Sequence, residues 1–369
     1  MQCYRSKSRP VAAAILQLLL LRRCLSLPRN MSVPALIVFG DSIVDPGNNN
    51  GIKTLVKCNF PPYGRDFAGG KPTGRFRYSP PFLYNHNMYQ IILERAEKLG
   101  IKEYVPAYLD ASLQLHDLLT GVSFASGVSG YDPLTPQIAS VLSLSDQLEL
   151  FKDYVTKIRS DVGIARAATI ISDSLYLVCT GSDDIANTYF TTPFRRIHYG
   201  IPSYTDFLIN SASTFFQELY GLGARRIGVI GLPPIGCVLS QKTLEGGIKR
   251  ACSEHENEAA MLFNSKLSSL LNSLNSRLQG STFVLLDIYS TLLSIISNPI
   301  QYGFEVSDKG CCGTGNIEAS ILCNRLDDAS TCKDDTKYLF WDSYHPTEKA
   351  YQILTTKIYE RYIHRFFQN

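Results

Sequence analysis

The sequence predicts an α/β fold, in which a parallel β-sheet is covered by helices on both faces. Four short runs rich in apolar and β-branched residues have the length and composition of buried strands. Segments with apolar residues at three- and four-residue spacing separate the runs and predict amphipathic helices, which is the pattern of a parallel sheet. The predicted strands are 35–39, 175–179, 227–230 and 283–286.

The first 27 residues predict a secretory signal peptide. Arg5, Lys7 and Arg9 precede an apolar stretch at 11–21 that is too short to span a bilayer. A poorly ordered extension and a membrane anchor are the alternatives. No later stretch is apolar for 18 residues, so we expect no transmembrane segment and an extracellular location.

The composition is that of an ordinary globular protein. Of 369 residues, 45% are hydrophobic and 19% are charged, and 36 basic against 33 acidic residues leave a formal charge of +3. A charge this small gives no reason to expect nucleic acid as a partner. Because no repeat, low-complexity tract or Pro/Ser-rich linker interrupts the chain, we predict a single domain over 34–369.

Three helices are predicted between the strands. Leu148, Phe151, Val155 and Ile158 follow the helical period. A second pattern runs from 263 to 278 with Gly280 as its expected C-cap, and a third covers 207–219. In parallel sheets ligands bind beyond the carboxyl ends of the strands, so the polar residues that follow each run are the first candidates for chemistry.

Ser42 is the candidate nucleophile. The first strand runs directly into Gly40-Asp41-Ser42, and a glycine at this point lets the backbone turn sharply so that the serine projects at the strand end. The alternative is an ordinary turn in which Ser42 caps a helix.

Asp342 and His345 are the candidate carboxylate and base. A three-residue spacing in a turn or first helical turn places both side chains on one side. The carboxylate can then accept from one imidazole nitrogen and leave the other to take a proton from Ser42. A surface histidine beside an N-capping aspartate is the alternative reading.

Ten cysteines occur, and Cys3 and Cys24 fall in or beside the predicted signal. Four of the other eight crowd into a polar stretch at 311–332, which in a secreted protein predicts disulfides. Zinc is a weaker interpretation because the stretch has no histidine and no CxxC spacing. Cys179 lies in an apolar run and is predicted to be a buried thiol. We predict no metal and no cofactor, and Asn30 begins the single N-glycosylation sequon.

These features together resemble the plant GDSL esterase/lipase family of the SGNH hydrolase superfamily, in its extracellular-lipase-like branch. The resemblance covers nearly the whole chain after the signal. The matching stretches are 38–42 and 45–50, 62–64 and 72–76, 121–130, 181–185, 231–237 and 342–345.

The resemblance implies a flavodoxin-like three-layer α/β/α fold with a central parallel sheet. It also implies hydrolysis of carboxylic esters, with Ser42 as nucleophile, His345 as general base and Asp342 as its partner. The expected substrate is a small-molecule or lipid ester, no cofactor is needed, and the protein is expected to be monomeric.

The resemblance also implies an oxyanion hole. This sequence departs from the family pattern at two places. The donors would be the backbone N–H of Ser42, that of Gly130 (Gly127 is the alternative) and the side chain at Asp183. The family usually carries asparagine at this last position, and an ionised carboxylate cannot donate. Residues 77–93 also depart from the family pattern. Two interpretations are lineage-specific divergence and a translated intron fragment in the gene, and we favour the second.

Three functions remain open from the sequence. A secreted serine esterase or lipase is the leading hypothesis. An acyltransferase would use the same triad with an alcohol in place of water. A non-catalytic or weakly active binding member of the fold would account for Asp183 and the unusual 77–93 segment.

Overall fold

Four parallel strands form the central sheet of the protein. The structure is a computed structural model that describes residues 33–65, 71–76, 105–324, 326 and 330–367. The strands are β1 Leu36–Gly40, β2 Leu175–Cys179, β3 Arg226–Ile230 and β4 Thr282–Leu286. They pair in the order β1-β2-β3-β4, and each lies within one residue of a predicted run, so this part of the prediction is confirmed.

The sheet continues beyond β1 through single bridges. Ser123 pairs in parallel with Val38 and with Ala107, which places β1 inside the sheet rather than at its edge. Gly40 ends β1 at a φ of 139°, and a Cβ there would overlap the backbone of Cys179 on β2. Only glycine fits this turn, as the sequence predicted.

Helices connect the strands. The three predicted helices correspond to Leu144–Val162, Ile201–Gly221 and Glu254–Arg277. The last of these ends at Arg277 with Leu278 as its cap, so the expected end at Gly280 is wrong. Gly280 instead belongs to a following turn in which the Ser281 N–H donates to the Leu278 carbonyl. The helices are α1 Leu115–Thr120, α2 Leu134–Ala139, α3 Leu144–Val162, α4 Ile164–Asp173, α5 Ile201–Gly221, α6 Leu239–Leu244, α7 Glu254–Arg277, α8 Tyr289–Ser297 and α9 Glu348–Tyr362.

Successive strand residues face opposite layers. Phe39 and Tyr176 pack into the core formed with α3, α4, α5 and α7. Leu36 and Leu177 point to the other face and line a gap beneath α9 with Tyr362. Because both faces of the sheet are covered, the strands are mostly apolar, with Arg226 and Thr282 only at the first positions of β3 and β4. The predicted α/β fold with a parallel central sheet is confirmed.

A second, two-stranded sheet lies near the C-terminal end, between β5 Val306–Gly310 and β6 Tyr338–Phe340. The sequence did not predict it, because β5 reads Val-Ser-Asp-Lys-Gly and lacks an apolar pattern. A π-helix at Asp184–Thr191 and 3-10 turns complete the connections; the turns are Asn48–Gly51, Ile235–Cys237, Pro299–Tyr302, Ser320–Leu322, Asp335–Lys337 and Ile363–Phe367.

Three disulfides staple the described residues. Cys311–Cys332 and Cys312–Cys323 pair within the predicted cysteine-rich stretch. The third bond, Cys237–Cys252, was not predicted. Cys58 and Cys179 lie outside these bonds and are buried, as expected for Cys179.

Several predictions concern residues outside the described ranges. They are the signal peptide, the sequon at Asn30 and the unusual segment 77–93. Among the described helices, none combines the length and apolarity needed to cross a bilayer.

Candidate active site

Three side chains predicted from opposite ends of the chain meet at the carboxyl end of β1. The Ser42 Oγ lies 2.9 Å from His345 Nε2, across 303 positions of sequence. The other ring nitrogen, Nδ1, lies 2.9 Å from both carboxylate oxygens of Asp342. All three residues are buried, with Ser42 9% and His345 6% exposed. The Ser42 hydroxyl, the His345 imidazole and the Asp342 carboxylate are therefore connected by two contacts of hydrogen-bonding length.

The nucleophile turn is held by a buried amide. Gln147 on α3 accepts from the Gly40 N–H and donates to the Gly40 carbonyl, each at 2.9 Å. The same amide donates to Ser129 at 3.1 Å. Asp41 accepts from the Ile43 N–H at 3.0 Å and closes the turn around Ser42. These contacts fix the backbone that carries the Ser42 side chain.

Asp342 and His345 lie in the tight loop between β6 and α9, not within the helix. Asp342 Oδ1 accepts from the backbone N–H of Tyr344 and of His345, at 2.9 and 2.7 Å. The Trp341 N–H donates to the His345 carbonyl at 2.8 Å and closes the loop. The turn itself thus sets the three-residue spacing that the sequence indicated.

Asp45 joins the segment after Ser42 to the glycine-rich segment 121–130. It accepts from the N–H of Gly47, Asn48 and Gly127, the last at 3.0 Å. Burial raises the pKa of Asp45 to about 6, although the backbone donors oppose this rise. Because the Gly127 N–H is occupied by Asp45, Gly127 is a poor candidate for the oxyanion hole.

Gly130 is packed against Asp184, where a Cβ would overlap the carboxylate. Asp184 accepts from the N–H of Tyr131 and Asp132, at 2.8 and 3.2 Å, and so fixes the backbone that follows Gly130. No hydrogen bond to the Gly130 N–H occurs among the described residues. Gly130 is not among the residues that line the cleft in front of Ser42.

Asp183 lines this cleft and is part of a chain of side chains. The Asn187 amide donates to Asp183 Oδ1 at 2.6 Å, and the Tyr344 hydroxyl donates to the Asn187 carbonyl oxygen at 2.7 Å. Burial raises the pKa of Asp183 to about 6, while His345 and the Asn187 hydrogen bond oppose the rise. The Tyr344 bond fixes the amide of Asn187 so that its NH₂ faces Asp183.

Most of the walls of the cleft are apolar. Its floor holds Ser42, Asp183 and His345. Such a site suits a ligand with one reactive polar group and an apolar body. The apolar lining residues are Ile43, Ala186, Pro233, Ile235 and Val238.

Sequence reasoning missed Gln147, Asn187 and Tyr63, which all contact the site. Gln147 acts across 107 positions and Tyr63 across 279, so no local pattern connects them to their partners. Tyr63 did stand in a stretch with family resemblance, and this was the one available signal for it. For Asp184, the sequence contained no indication of a role beyond its position next to Asp183.

The parallel sheet and the hydrogen-bonded serine, histidine and aspartate at its carboxyl edge place the protein in the class of hydrolases with an α/β fold. A family model described as GDSL-like Lipase/Acylhydrolase matches residues 36–358. The chain belongs to this family and is a carboxylic ester hydrolase.

Two Arabidopsis thaliana proteins illustrate the relationship. The chain is 52% identical to GDSL esterase/lipase EXL3 over 343 residues, covering 92% of this chain and 90% of the relative. It is 51% identical to GDSL esterase/lipase At5g42170, covering 92% of this chain and 88% of the relative.

Among solved structures, the chain is similar to a catalytic mutant of Axe2, an acetylxylan esterase from Geobacillus stearothermophilus. The sequence identity is 12% and the TM-score is 0.39, with 90% of this chain and 95% of the other covered.

Proposed function

We propose that the protein is a secreted serine esterase or lipase that hydrolyses acyl esters through an acyl-enzyme. Ser42 is the nucleophile, His345 the general base and Asp342 the residue that orients the imidazole. The observation that carries the proposal is the 2.9 Å contact from Ser42 Oγ to His345 Nε2, with Nδ1 held by Asp342. This contact leaves one ring nitrogen to accept the serine proton.

The reaction proceeds in two halves. The Ser42 oxygen attacks the ester carbonyl carbon while its proton passes to His345 Nε2. The tetrahedral intermediate collapses, His345 gives the proton to the departing alkoxide, and an acyl-Ser42 ester remains. Water then attacks this ester with His345 again as base, which releases the carboxylic acid and restores the serine.

The negative charge on the intermediate needs hydrogen-bond donors. The backbone N–H of Ser42 and of Gly130 are the proposed backbone donors, and neither has a hydrogen-bond partner among the described residues. The third is the side chain of Asp183, which donates only when it is protonated. Since Asn187 donates to Oδ1, the proton belongs on Oδ2, and a raised pKa of about 6 favours the protonated form in mildly acidic solution.

Secretion is part of the proposal. The basic and apolar pattern of residues 1–27 is typical of a signal peptide. The three disulfides agree with an oxidising compartment, because cytosolic proteins rarely keep structural disulfides.

One observation favours a weakly active or binding role as a second candidate. At neutral pH Asp183 is mostly ionised, and its charge would oppose the oxyanion. An acyltransferase would use the same acyl-enzyme and differs only in whether an alcohol or water accepts the acyl group.

The test is hydrolysis of short- and long-chain p-nitrophenyl esters by protein purified from the culture medium, beside its Ser42→Ala variant. We expect turnover by the wild type and a loss of at least roughly a thousandfold in the variant. Adding a small alcohol and analysing the products separates hydrolysis from acyl transfer.

A folded wild type without turnover on any ester would contradict the proposal and favour the binding role. Equal turnover by the Ser42→Ala variant would exclude Ser42 as nucleophile. The preference between short and long acyl chains then separates esterase from lipase.

A further inference from the structure

Asp342 has a second side-chain hydrogen-bond partner, Tyr63, in addition to His345. The Tyr63 hydroxyl lies 3.1 Å from Asp342 Oδ2. Tyr63 is 1% exposed and Asp342 is fully buried, so water does not compete for this contact. The Tyr63 ring packs against Phe60 and Trp341, with ring centroids 6.0 and 6.1 Å apart, which fixes the direction of the hydroxyl.

The direction of this hydrogen bond follows from the other contacts of the hydroxyl. The Ser320 N–H donates to the Tyr63 oxygen at 2.8 Å, so the single hydroxyl hydrogen is available for another acceptor. The Cys58 thiol and the Asp342 carboxylate are both neighbours. A carboxylate is a much stronger acceptor than a thiol, and therefore Tyr63 donates to Asp342.

Both neighbours of the carboxylate on this side stay neutral. Burial raises the pKa of Tyr63 well above its ordinary value, and the Cys58 thiol and Asp342 raise it further. Burial also raises the pKa of Cys58. Tyr63 thus remains a proton donor throughout the pH range in which ester hydrolysis is measured.

The partner of Tyr63 belongs to a disulfide-closed loop. Ser320 lies between Cys312 and Cys323, which are bonded to each other. In the same loop the Glu318 carbonyl accepts from the Ser343 N–H at 2.8 Å, directly beside Asp342 in sequence. The loop therefore supports both the Tyr63 hydroxyl and the backbone of the Asp342 turn.

We propose that Tyr63 is a positioning residue for ester hydrolysis: its hydroxyl fixes the Asp342 carboxylate, and through it the His345 ring, while the Cys312–Cys323 loop holds that hydroxyl in place. The inference rests on the proposed function, because it takes His345 as the base. The hydroxyl also draws charge from the carboxylate, which weakens the hold of Asp342 on a protonated imidazole.

The test compares Tyr63→Phe with Tyr176→Phe. Each change removes one hydroxyl from a fully buried ring, and the Tyr176 hydroxyl donates to the Ile171 carbonyl at 2.8 Å, away from the cleft. For Tyr63→Phe we expect kcat to fall about tenfold with KM within about twofold, since one hydrogen bond to a charged group is lost. The acid limb of the kcat/KM profile moves to higher pH.

Tyr176→Phe measures the cost of losing a buried hydroxyl without this role, and we expect its kcat and pH profile to match the wild type. If Tyr63→Phe has the same kcat and acid limb as Tyr176→Phe, the inference is wrong. If even the wild type hydrolyses no ester, the proposed function fails instead.

A readout that needs no turnover tests the inference in either case. In protein with ¹⁵N-labelled histidine, the proton between His345 Nδ1 and Asp342 gives a low-field NMR resonance. This resonance shifts in Tyr63→Phe and stays in place in Tyr176→Phe. An identical resonance in both variants would overturn the positioning role.

Discussion

At the scale of single residues, we expect Asp183 to make the activity of the cleft depend on pH. An asparagine at this position would donate at every pH, whereas the carboxyl donates only in its protonated form. The hydrogen bonds from Tyr344 to Asn187 and from Asn187 to Asp183 leave one carboxyl oxygen directed away from Asn187. That oxygen is suited to carry the proton.

Asp183→Asn is expected to raise kcat, and the gain is expected to grow with pH. Because the pKa of Asp183 is about 6, the carboxyl is protonated below this pH and loses its donor as the pH rises through it. We expect a gain of roughly ten- to a hundredfold at pH 8 and about twofold or less at pH 5. The measurement is kcat for both proteins on one p-nitrophenyl ester from pH 5 to 9.

The matched control is Asn187→Ala, which removes the donor to Asp183 Oδ1 but keeps the carboxyl. If the ratio of kcat between Asp183→Asn and the wild type does not change with pH, protonation of Asp183 does not control the stabilisation of the oxyanion. A lower kcat for Asp183→Asn at pH 8 would remove Asp183 from the proposed hole.

The site residues that could be predicted from the sequence differ from those that could not in whether a short local pattern marks them. Ser42, Asp342 and His345 stand in short local patterns whose residue types have a direct chemical purpose. Tyr63 and Gln147 are ordinary residue types, and only contacts across 279 and 107 positions give them their roles. A lone tyrosine or glutamine in a sequence carries no sign of such a partner.

At the scale of elements, we expect the disulfide loop between Cys312 and Cys323 to affect both the stability of the protein and its kcat. The bond closes 11 positions of sequence and lies inside the larger Cys311–Cys332 loop. Short cross-links stabilise mainly by restricting the unfolded chain. Here the closed segment also presents the Ser320 N–H to Tyr63.

Replacing Cys312 and Cys323 together by alanine is expected to lower the free energy of unfolding by about 2–3 kcal/mol. It should also lower kcat in the same direction as Tyr63→Phe, because the support for the Tyr63 hydroxyl is weakened. Chemical denaturation and ester kinetics measure the two effects.

A double-mutant cycle with Tyr63→Phe separates these effects. If the loop acts on the site through Tyr63, removing the disulfide costs less kcat in a protein that already carries the Tyr63→Phe change. Fully additive losses in kcat would mean that the loop affects the site by another route. The Cys237–Cys252 pair, which closes 15 positions, offers a control of similar stabilising effect.

At the scale of the whole molecule, several carboxyls are buried and shift the dependence of stability on pH. Burial, together with the charge of Glu245, raises the pKa of Glu256 on α7 to about 8. Neither Glu256 oxygen has a hydrogen-bond partner among the described residues. The pKa of Glu256 is higher in the folded than in the unfolded protein, so its protonated carboxyl favours the folded state. This contribution to the free energy of unfolding is complete below about pH 4.3 and is lost as the pH rises through 8.

Glu256→Gln is therefore expected to raise the melting temperature at pH 8.5 and to change it little at pH 5. The amide keeps the shape of the protonated acid and cannot ionise, so the folded protein no longer holds a buried charge. Scanning calorimetry at both pH values measures the difference. Glu258→Gln, on the exposed side of the same helix, is the control; an equal effect from it would contradict the role of burial.

The general fold could be predicted from the sequence because burial on both faces makes the central strands mostly apolar. The pair β5 and β6 could not be predicted, since β5 is polar and has no alternating apolar pattern. The end of α7 was placed too late because Gly280 forms a turn rather than a cap. Local patterns thus define the buried layers, while the edges depend on tertiary contacts.

The 303 positions between Ser42 and His345 have a consequence for synthesis. During translation the Ser42 hydroxyl is made well before the imidazole of His345 that would activate it. Under the proposed mechanism, we expect chains that end before His345 to be inert toward esters. The order of these two residues along the chain would thus delay activity until His345 has been added.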